Sequence, residues 1–286
     1  MRLIDRFFRR HPSQQTRTST SLCPYLPLWV RYPLKGQRRA AVEQWKQQQL
    51  EQLMEIDTSP ATTKSGRVIT LVAVLPGRTL DLAEFLKPWL RSVELVGLRG
   101  TLLHAGPCDL DSVRNQYPTI DLVPASIGTR HLFLERHFAV RDYLKRISDE
   151  YVLITDGRDV AFRRDPFEVL RGHAPQLALG TEGIPIRENK HVLKKQQAAY
   201  QQPHYLDRLA FNPGIMGGSR ERVIDLLEFL THEINTLDCQ PIDCDMGVFN
   251  KVVHDHYALD DIFTGETLHS RFGHWEFNTP APIIHK

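Results

Sequence analysis

One stretch, residues 151–167, constrains the fold of this chain more than any other. It begins with YVLIT at 151–155, an uninterrupted run of apolar and β-branched side chains. Such a run is typical of a strand buried on both faces of a mostly parallel sheet. The run stops at Asp156, and Asp159 follows three residues later. Two carboxylates therefore end a buried strand, at the edge where open α/β sheets bind their ligands.

These two carboxylates raise each other's pKa unless a cation lies between them or one of them takes a proton. Oxygen ligands suit Mg²⁺ and Mn²⁺, and Mg²⁺ typically joins protein carboxylates to substrate phosphates. A divalent-cation site is therefore one interpretation of this turn. The other is a solvated turn in which Arg158 offsets the acidic charge.

The segments around this strand predict an α/β fold. Apolar runs that indicate further strands lie at 68–75, 101–104, 120–124 and 176–180. Segments with the apolar spacing of amphipathic helices lie at 80–96, 131–147 and 221–237, and another helix is expected to begin near 243. Such alternation favours right-handed βαβ units and a mostly parallel central sheet flanked by helices. Pro88 falls inside the first helix and is expected to kink it.

Two segments of the chain lack the hydrophobic periodicity of a helix or a strand. Residues 187–208 are polar and rich in Lys, Gln and His, which predicts an irregular or mobile segment. Residues 210–219, AFNPGIMGGS, are expected to form turns around an apolar centre, because Asn, Pro and Gly favour turns.

Charge is distributed unevenly along the 286 residues. Residues 1–46 carry ten Lys or Arg and two Asp or Glu, a net charge of +8, whereas residues 47–286 carry 26 and 32, a net charge of −6. The basic excess therefore belongs to an N-terminal extension and does not indicate a nucleic-acid-binding face on the main domain. We divide the chain into a basic, partly helical or disordered extension and linker at 1–66 and an ordered domain at 67–286.

The N-terminus and the cysteines bear on location. Residues 1–10 place apolar side chains on one helical face among four Arg, so peripheral contact with an anionic membrane surface is one interpretation and a frayed terminus the other. No apolar run reaches the ~18 residues of a membrane-spanning helix. The cysteines form no CxxC pair, which disfavours a zinc site; they are Cys23, Cys108, Cys239 and Cys244. We expect a cytoplasmic protein with reduced thiols.

Four landmarks follow one another in the ordered domain. They are ITDGRDVAFRRDPF at 154–167, FNPGIMGGS at 211–219, DCDMGVFN at 243–250 and PIIHK at 282–286. This ordered set resembles the nucleotide-diphospho-sugar glycosyltransferases of GT-A fold, over about 67–286. The resemblance implies a Rossmann-like α/β architecture, a nucleotide-sugar donor, foremost a UDP-sugar, and a carbohydrate or glycoconjugate acceptor.

By the same resemblance, Asp156 and Asp159 belong to the acidic motif that holds Mn²⁺ or Mg²⁺. The spacing is DxxD in place of the commoner DxD, so either carboxylate could be the ligand; we favour Asp159 for the metal and Asp156 for the ribose or a metal-bound water. His285, the penultimate residue, lies where the family has a late metal-ligating His, and neutral imidazole is a sound ligand for such ions. Arg158 could donate two hydrogen bonds to a phosphate or pair with the neighbouring carboxylates.

Four residues correspond to the family's acceptor-side turn, Asn212, Gly214, Gly217 and Gly218, where glycine lets backbone approach a ligand closely. A plain turn before the next helix is the alternative. Glu182 follows a predicted strand and could contact the donor sugar or remain a surface carboxylate.

The catalytic candidates are two neighbouring carboxylates. Asp245 corresponds to the Asp of the family's DQ motif, with Met246 in place of the Gln, and could orient an acceptor hydroxyl or act as the base. Capping of the following helix is its alternative role, and Asp243 is a second candidate for either. The remaining histidines match no motif and are expected to be ordinary polar residues, His131, His137, His173 and His254 among them.

Two other functions compete with glycosyl transfer. A sugar-phosphate nucleotidyltransferase needs a Gly-rich, basic loop after its first strand, whereas residues 75–78 here are LPGR, with one glycine. A non-catalytic carbohydrate-binding protein that kept the fold is the third hypothesis. Acidic residues at each expected position count against it.

Overall fold

A seven-stranded sheet lies at the centre of the fold. The structure, a computed structural model, describes residues 44, 47, 48, 51, 52, 58, 59, 66–74, 80–237, 242–272, 276, 277 and 279–285. Its strands are β1 (Gly66–Ala73), β2 (Arg99–Ala105), β3 (Ile120–Pro124), β4 (Tyr151–Thr155), β5 (Val160–Phe162), β6 (Leu177–Pro185), β7 (Leu209–Ser219), β8 (Ile262–Phe263) and β9 (Ile283–His285). The order in the large sheet is β3-β2-β1-β4-β7-β6-β8, and β7 is antiparallel to both neighbours while the other pairs are parallel. The predicted α/β fold with a mostly parallel sheet is therefore confirmed.

Helices cover both faces of this sheet. They are α1 (Leu82–Phe85), α2 (Lys87–Val96), α3 (Asp111–Gln116), α4 (Leu132–Leu144), α5 (Pro166–Gly172), α6 (Lys190–Ala199), α7 (Arg220–Thr236) and α8 (Asp245–His256). One apolar cluster packs α2 and α5 against the sheet, and a second packs α4, α7 and α8 against it. Strands β5 and β9 form a separate two-stranded antiparallel sheet.

Strand β4 lies between β1 and β7, as its sequence predicts for a strand buried on both faces. Leu153 belongs to the apolar cluster on one face, and its neighbours Val152 and Ile154 belong to the cluster on the other. All three side chains are almost completely buried. Because burial of one such side chain contributes about 1.5–3 kcal/mol, this strand is held firmly from both sides.

The helix predicted at 80–96 is broken in two. Leu86 separates α1 from α2, and Asp81 caps α1 by accepting a hydrogen bond from the backbone N–H of Glu84 (3.1 Å). Pro88 lies in the first turn of α2, where a missing N–H costs no helical hydrogen bond. The proline therefore begins a new helix here instead of kinking a continuous one.

The expectation of irregular structure at 187–208 is wrong for its first half, which contains α6. Asn189 caps this helix by accepting hydrogen bonds from the backbone N–H groups of His191 and Val192, both at 3.0 Å. Val192 and Gln196 are buried on its inner side. Tertiary burial and one cap thus stabilise a helix whose composition is mostly polar.

The turn predicted at 210–219 is also wrong, because these residues form most of β7. This strand is paired on both sides, with β4 and with β6, despite the Pro and three Gly. The pairing with β6 shifts register next to Gly180. An irregular strand, not a turn, carries the Asn-Pro-Gly sequence.

Most of the N-terminal extension lies outside the described residues, including the basic segment 1–10 and most of the proposed linker. Residues 44, 47, 48, 51 and 52 are helical, and the backbone N–H of Ser59 donates to the carbonyl of Arg163 (2.7 Å). Within the described ranges, no helix combines the length and apolar character needed to cross a membrane.

Candidate metal and substrate site

The acidic turn follows β4 directly and is anchored to the sheet. The backbone N–H of Asp156 donates to the carbonyl of Gly214 on β7 (3.0 Å), so the turn stays attached to the neighbouring strand. A Cβ at Gly157 would lie 2.6 Å from Leu86 and 2.7 Å from the hydroxyl of Thr70. A side chain there would displace both neighbours, so the turn packs closely against the sheet at Gly157.

The C-terminal residues bring His285 to the same turn. Strand β5 begins immediately after Asp159 and pairs with β9, with Val160 opposite His285. The hydroxyl of Ser270 donates to the carbonyl of His285 and accepts from its N–H, each at 2.8 Å. The imidazole contacts the ring of Phe272 at a centroid distance of 4.0 Å, and His285 is 4% exposed. A penultimate residue is thus part of the folded core.

Asp156, Asp159 and His285 each direct one potential ligand atom to a common point. The three atoms lie within 4.8 Å of one another. Nε2 of His285 is 3.9 Å from Oδ2 of Asp156 and 3.8 Å from Oδ1 of Asp159. These separations suit atoms on opposite sides of a cation held at about 2.1 Å. The three residues predicted as metal ligands are therefore brought together.

Gly214 keeps space open beside this cluster. A Cβ at this position would lie 2.7 Å from Oδ2 of Asp156 and 2.7 Å from Cε1 of His285. Any side chain would therefore push against two of the three candidate ligands. The oxygen and imidazole donors suit a divalent cation such as Mn²⁺, and the space left by Gly214 is consistent with a bound ion or its other ligands.

A buried ion-pair network adjoins the cluster. Arg136 of α4 donates from Nη1 to Oδ1 of Asp156 (2.9 Å) and from Nη2 to Oδ2 of Asp245 (2.7 Å). His137, the next residue, lies 2.6 Å from the other oxygen of Asp245 through Nε2. Because an ionised carboxylate only accepts hydrogen bonds, Nε2 carries the proton of the neutral imidazole.

The charges in this network follow from burial and pairing. Burial raises the pKa of Asp245, but Arg136 and then His137 lower it by more, so its pKa lies below the usual value. Burial lowers the pKa of His137, and Asp245 offsets only part of that effect. Burial also lowers the pKa of Arg136, which its two carboxylate partners more than reverse. Near neutral pH, Asp245 is therefore ionised and His137 is neutral.

Asp245 is the first residue of α8, but its carboxylate does not cap that helix. Cys244 is the N-cap residue and makes no side-chain capping bond. Asp243 pairs with Lys195 of α6, so the helix that the sequence did not predict supplies a cation to the site. A polar cleft of about 170 Å³ lies between these groups, with Arg136 and Asp156 also in its wall.

The predicted substrate-binding residues fall in three places. Asn212 donates from Nδ2 to Glu182 (2.6 Å) and accepts from the N–H of Gly214 (2.8 Å), so these three residues adjoin the acidic cluster. Gly217 lies deeper in the sheet, opposite Leu153 of β4, and is not brought to the site. Arg158 is exposed, with its guanidinium 5.4 Å from the ring centroid of Phe85, beside a separate cavity of about 330 Å³.

Three residues of the site were missed by sequence reasoning, namely Arg136, His137 and Lys195. His137 was expected to be an ordinary polar residue, yet it is almost completely buried and bonded to Asp245. The available signal was only that Arg136 and His137 are adjacent polar residues in a helical segment of mixed composition, LFLERHFAVRDYL. That pattern alone does not identify a partner far away in the chain.

Comparisons with known proteins do not extend this description. No protein-family model matches the chain, and a search of curated proteins finds no significant match.

Proposed function

We propose that this protein is a metal-dependent glycosyltransferase of GT-A architecture. It moves a sugar from a nucleotide-diphospho-sugar, foremost a UDP-sugar, to a carbohydrate or glycoconjugate acceptor. The observation that carries the proposal is the convergence of Asp156, Asp159 and His285 within 4.8 Å at the end of β4. His285 is buried in the fold, and its Nε2 faces both carboxylates at 3.8–3.9 Å.

The topology supports the same proposal. The acidic turn lies at the carboxyl edge of the parallel strands, where α/β sheets bind nucleotides and other ligands. The antiparallel β7 lies between β4 and β6 and brings Asn212 and Gly214 to this edge. Each of the four landmarks that resemble GT-A enzymes thus contributes residues near one point, whereas Arg158 and Gly217 lie apart from it.

The proposed reaction assigns roles to residues of this chain. The acceptor oxygen forms a bond to the anomeric carbon, the bond from that carbon to the phosphate oxygen breaks, and the acceptor proton passes to a carboxylate. Asp243 and Asp245 are the candidates for that carboxylate. Asn212 and Glu182 are placed to hold sugar hydroxyls. A divalent ion held by Asp156, Asp159 and His285 would neutralise negative charge on the departing diphosphate.

Thermal unfolding with Mn²⁺ and UDP tests the binding part of this proposal. A ligand at 100 times its dissociation constant should stabilise the wild type by about 2.7 kcal/mol. Asp159→Ala should abolish the metal-dependent part of this gain, and Asp156→Ala and His285→Ala should weaken it. Asp111→Ala is the matched control, because Asp111 is an exposed carboxylate of α3 paired with Arg114. Unchanged metal and UDP affinity in Asp159→Ala would contradict the metal assignment.

A screen of sugar nucleotides for metal-dependent hydrolysis tests the catalytic part. We expect release of the nucleoside diphosphate with at least one donor and its loss in chelator. Binding of Mn²⁺ and UDP without turnover of any donor would favour the non-catalytic alternative. Formation of a sugar nucleotide from a sugar phosphate and a nucleoside triphosphate would favour the nucleotidyltransferase, whose diagnostic loop at 75–78 lies outside the described residues.

A further inference from the structure

We propose that Arg136 is a positioning residue, anchored by Asp245 and His137, that holds Asp156 with one carboxylate oxygen turned toward Asp159 and His285. The proposal rests on the metal site of the proposed function. It adds a residue that none of the four sequence landmarks contains.

The two oxygens of Asp156 have different surroundings. Oδ1 accepts a hydrogen bond from Nη1 of Arg136 at 2.9 Å. Oδ2 faces the other side, 3.9 Å from Nε2 of His285. The side chain of Asp156 is 38% exposed, so solvent and local packing alone would leave it several rotamers. The bond to Arg136 selects one orientation, in which a single oxygen is presented to the candidate metal position.

Arg136 can do this because it is itself fixed. Its side chain is 14% exposed, and its second amino group donates to Asp245 at 2.7 Å. Asp245 is 6% exposed, and its other oxygen is bonded to His137, which is 1% exposed. Both oxygens of Asp245 therefore have partners from α4. The planar guanidinium joins two carboxylates in one rigid arrangement, which a flexible ammonium does not reproduce.

The same geometry separates the roles of the two catalytic candidates. Asp245 is buried with both oxygens bonded, so it acts through Arg136 and not on a substrate. Within the part of the chain that the structure describes, Asp243 pairs with Lys195, and its side chain is 27% exposed at the polar cleft. Asp243 is therefore the carboxylate of the pair that an acceptor can reach.

Mn²⁺ binding to the full chain, measured by calorimetry and by the EPR spectrum of the bound ion, tests the proposal without any assay of transfer. Loss of a residue that orients a metal ligand typically weakens metal binding about 10–100-fold. We expect this loss in Asp245→Asn and in Arg136→Lys. The lysine keeps the positive charge but lacks the planar guanidinium that hydrogen-bonds to both Asp156 and Asp245. We also expect a changed EPR line shape, because Asp156 becomes free to bind through either or both oxygens. Arg141→Lys and Asp142→Asn, on the same helix but paired with each other, should bind Mn²⁺ as the wild type does.

The variants also separate positioning from simple charge. If Arg136 acted only as a nearby cation, Arg136→Gln would bind the dication more tightly and Arg136→Lys would be unchanged. That result would overturn the positioning role while leaving the metal site intact. A wild type that binds no Mn²⁺, with or without UDP, would overturn both proposals. The apo melting temperature of Arg136→Lys shows whether its weaker binding reflects loss of fold. If this variant does not fold, Mn²⁺ binding to Asp245→Asn or His137→Gln, whichever keeps its apo melting temperature, tests the positioning role instead.

Discussion

The two ends of the parallel strands in the central sheet both carry charged clusters, but the clusters differ in composition. We call the side where these strands begin the amino edge and the side where they end the carboxyl edge. At the amino edge, Asp149 is paired with two cations, Arg67 at 2.9 Å and Arg99 at 2.7 Å, and Arg67 also pairs with Asp121. Arg67 and Asp149 are 8% and 5% exposed at the side chain. At the carboxyl edge, Asp156 and Asp159 are 38% and 23% exposed and face a histidine.

The difference shows which charges hold the fold together and which are arranged for a ligand. The amino-edge cluster joins the beginnings of neighbouring strands and balances acid with base. At the carboxyl edge Asp156 is paired with Arg136, but Asp156 and Asp159 lie close enough for their like charges to repel, and a bound cation would relieve that repulsion. We therefore expect substitutions at the amino edge to reduce stability and substitutions at the carboxyl edge to reduce binding.

Asp149→Ala should have the largest effect on stability. Removing one partner of a buried ion pair leaves Arg67 buried and partly uncompensated, which costs about 3–5 kcal/mol. Urea denaturation of the apo protein measures this loss. Asp142→Asn, an exposed carboxylate 60% accessible, should change the unfolding free energy little. A loss below about 1 kcal/mol in Asp149→Ala would remove the proposed contrast between the edges.

His269, next to the residue that holds His285 in place, should make the free energy of unfolding depend on pH. Nε2 of His269 accepts from the N–H of Thr181 (3.1 Å), so Nδ1 carries the proton and donates to the carbonyl of Ser270 (2.7 Å). Burial lowers the pKa of His269 to about 4. The unfolded chain takes up this proton first, near pH 6.5, so the stabilisation is complete above that pH and is lost as the pH falls toward 4.

The size of this effect is about 3 kcal/mol, since each unit of pKa shift corresponds to about 1.4 kcal/mol. His269→Gln should show a correspondingly flatter dependence of unfolding free energy on pH between 6.5 and 4. The difference between the two proteins isolates His269 from other groups, such as His137 and His254, whose pKa values are also lowered. Parallel pH curves would mean that the pKa of His269 is the same in the folded and unfolded states, which would contradict the lowered pKa.

Asp159→Ala should have the smallest effect on apo stability. It removes a carboxylate from a cluster of like charge, so the unfolding free energy without metal should stay within about 1 kcal/mol of the wild type or rise. The same variant should lose stabilisation by Mn²⁺. Calorimetry of the apo protein measures the first quantity. A loss comparable to that of Asp149→Ala would mean that the carboxyl edge also holds the fold together.

The fold was predictable where the pattern is local. The residues of β4 are apolar or β-branched without interruption, and β3 occurs at the predicted positions, 120–124. The prediction failed for β7 and α6, because their composition favours turns and loops. Pairing on both sides stabilises β7, and a cap with buried inward residues stabilises α6. Both effects depend on neighbours that are remote in the sequence.

The sequence by itself determined that two carboxylates end a buried strand. The apolar run predicts the buried strand, and the polar residues that follow it predict where the strand ends. The tertiary structure decided what surrounds them. Pairing of β5 with β9 brings His285 to Asp159, and packing of α4 near α8 brings Arg136 to Asp245 across 109 residues. Hydrophobic period and residue propensity describe one segment at a time, whereas these contacts depend on how distant segments pack. The site is therefore encoded as separate parts that only the folded chain joins.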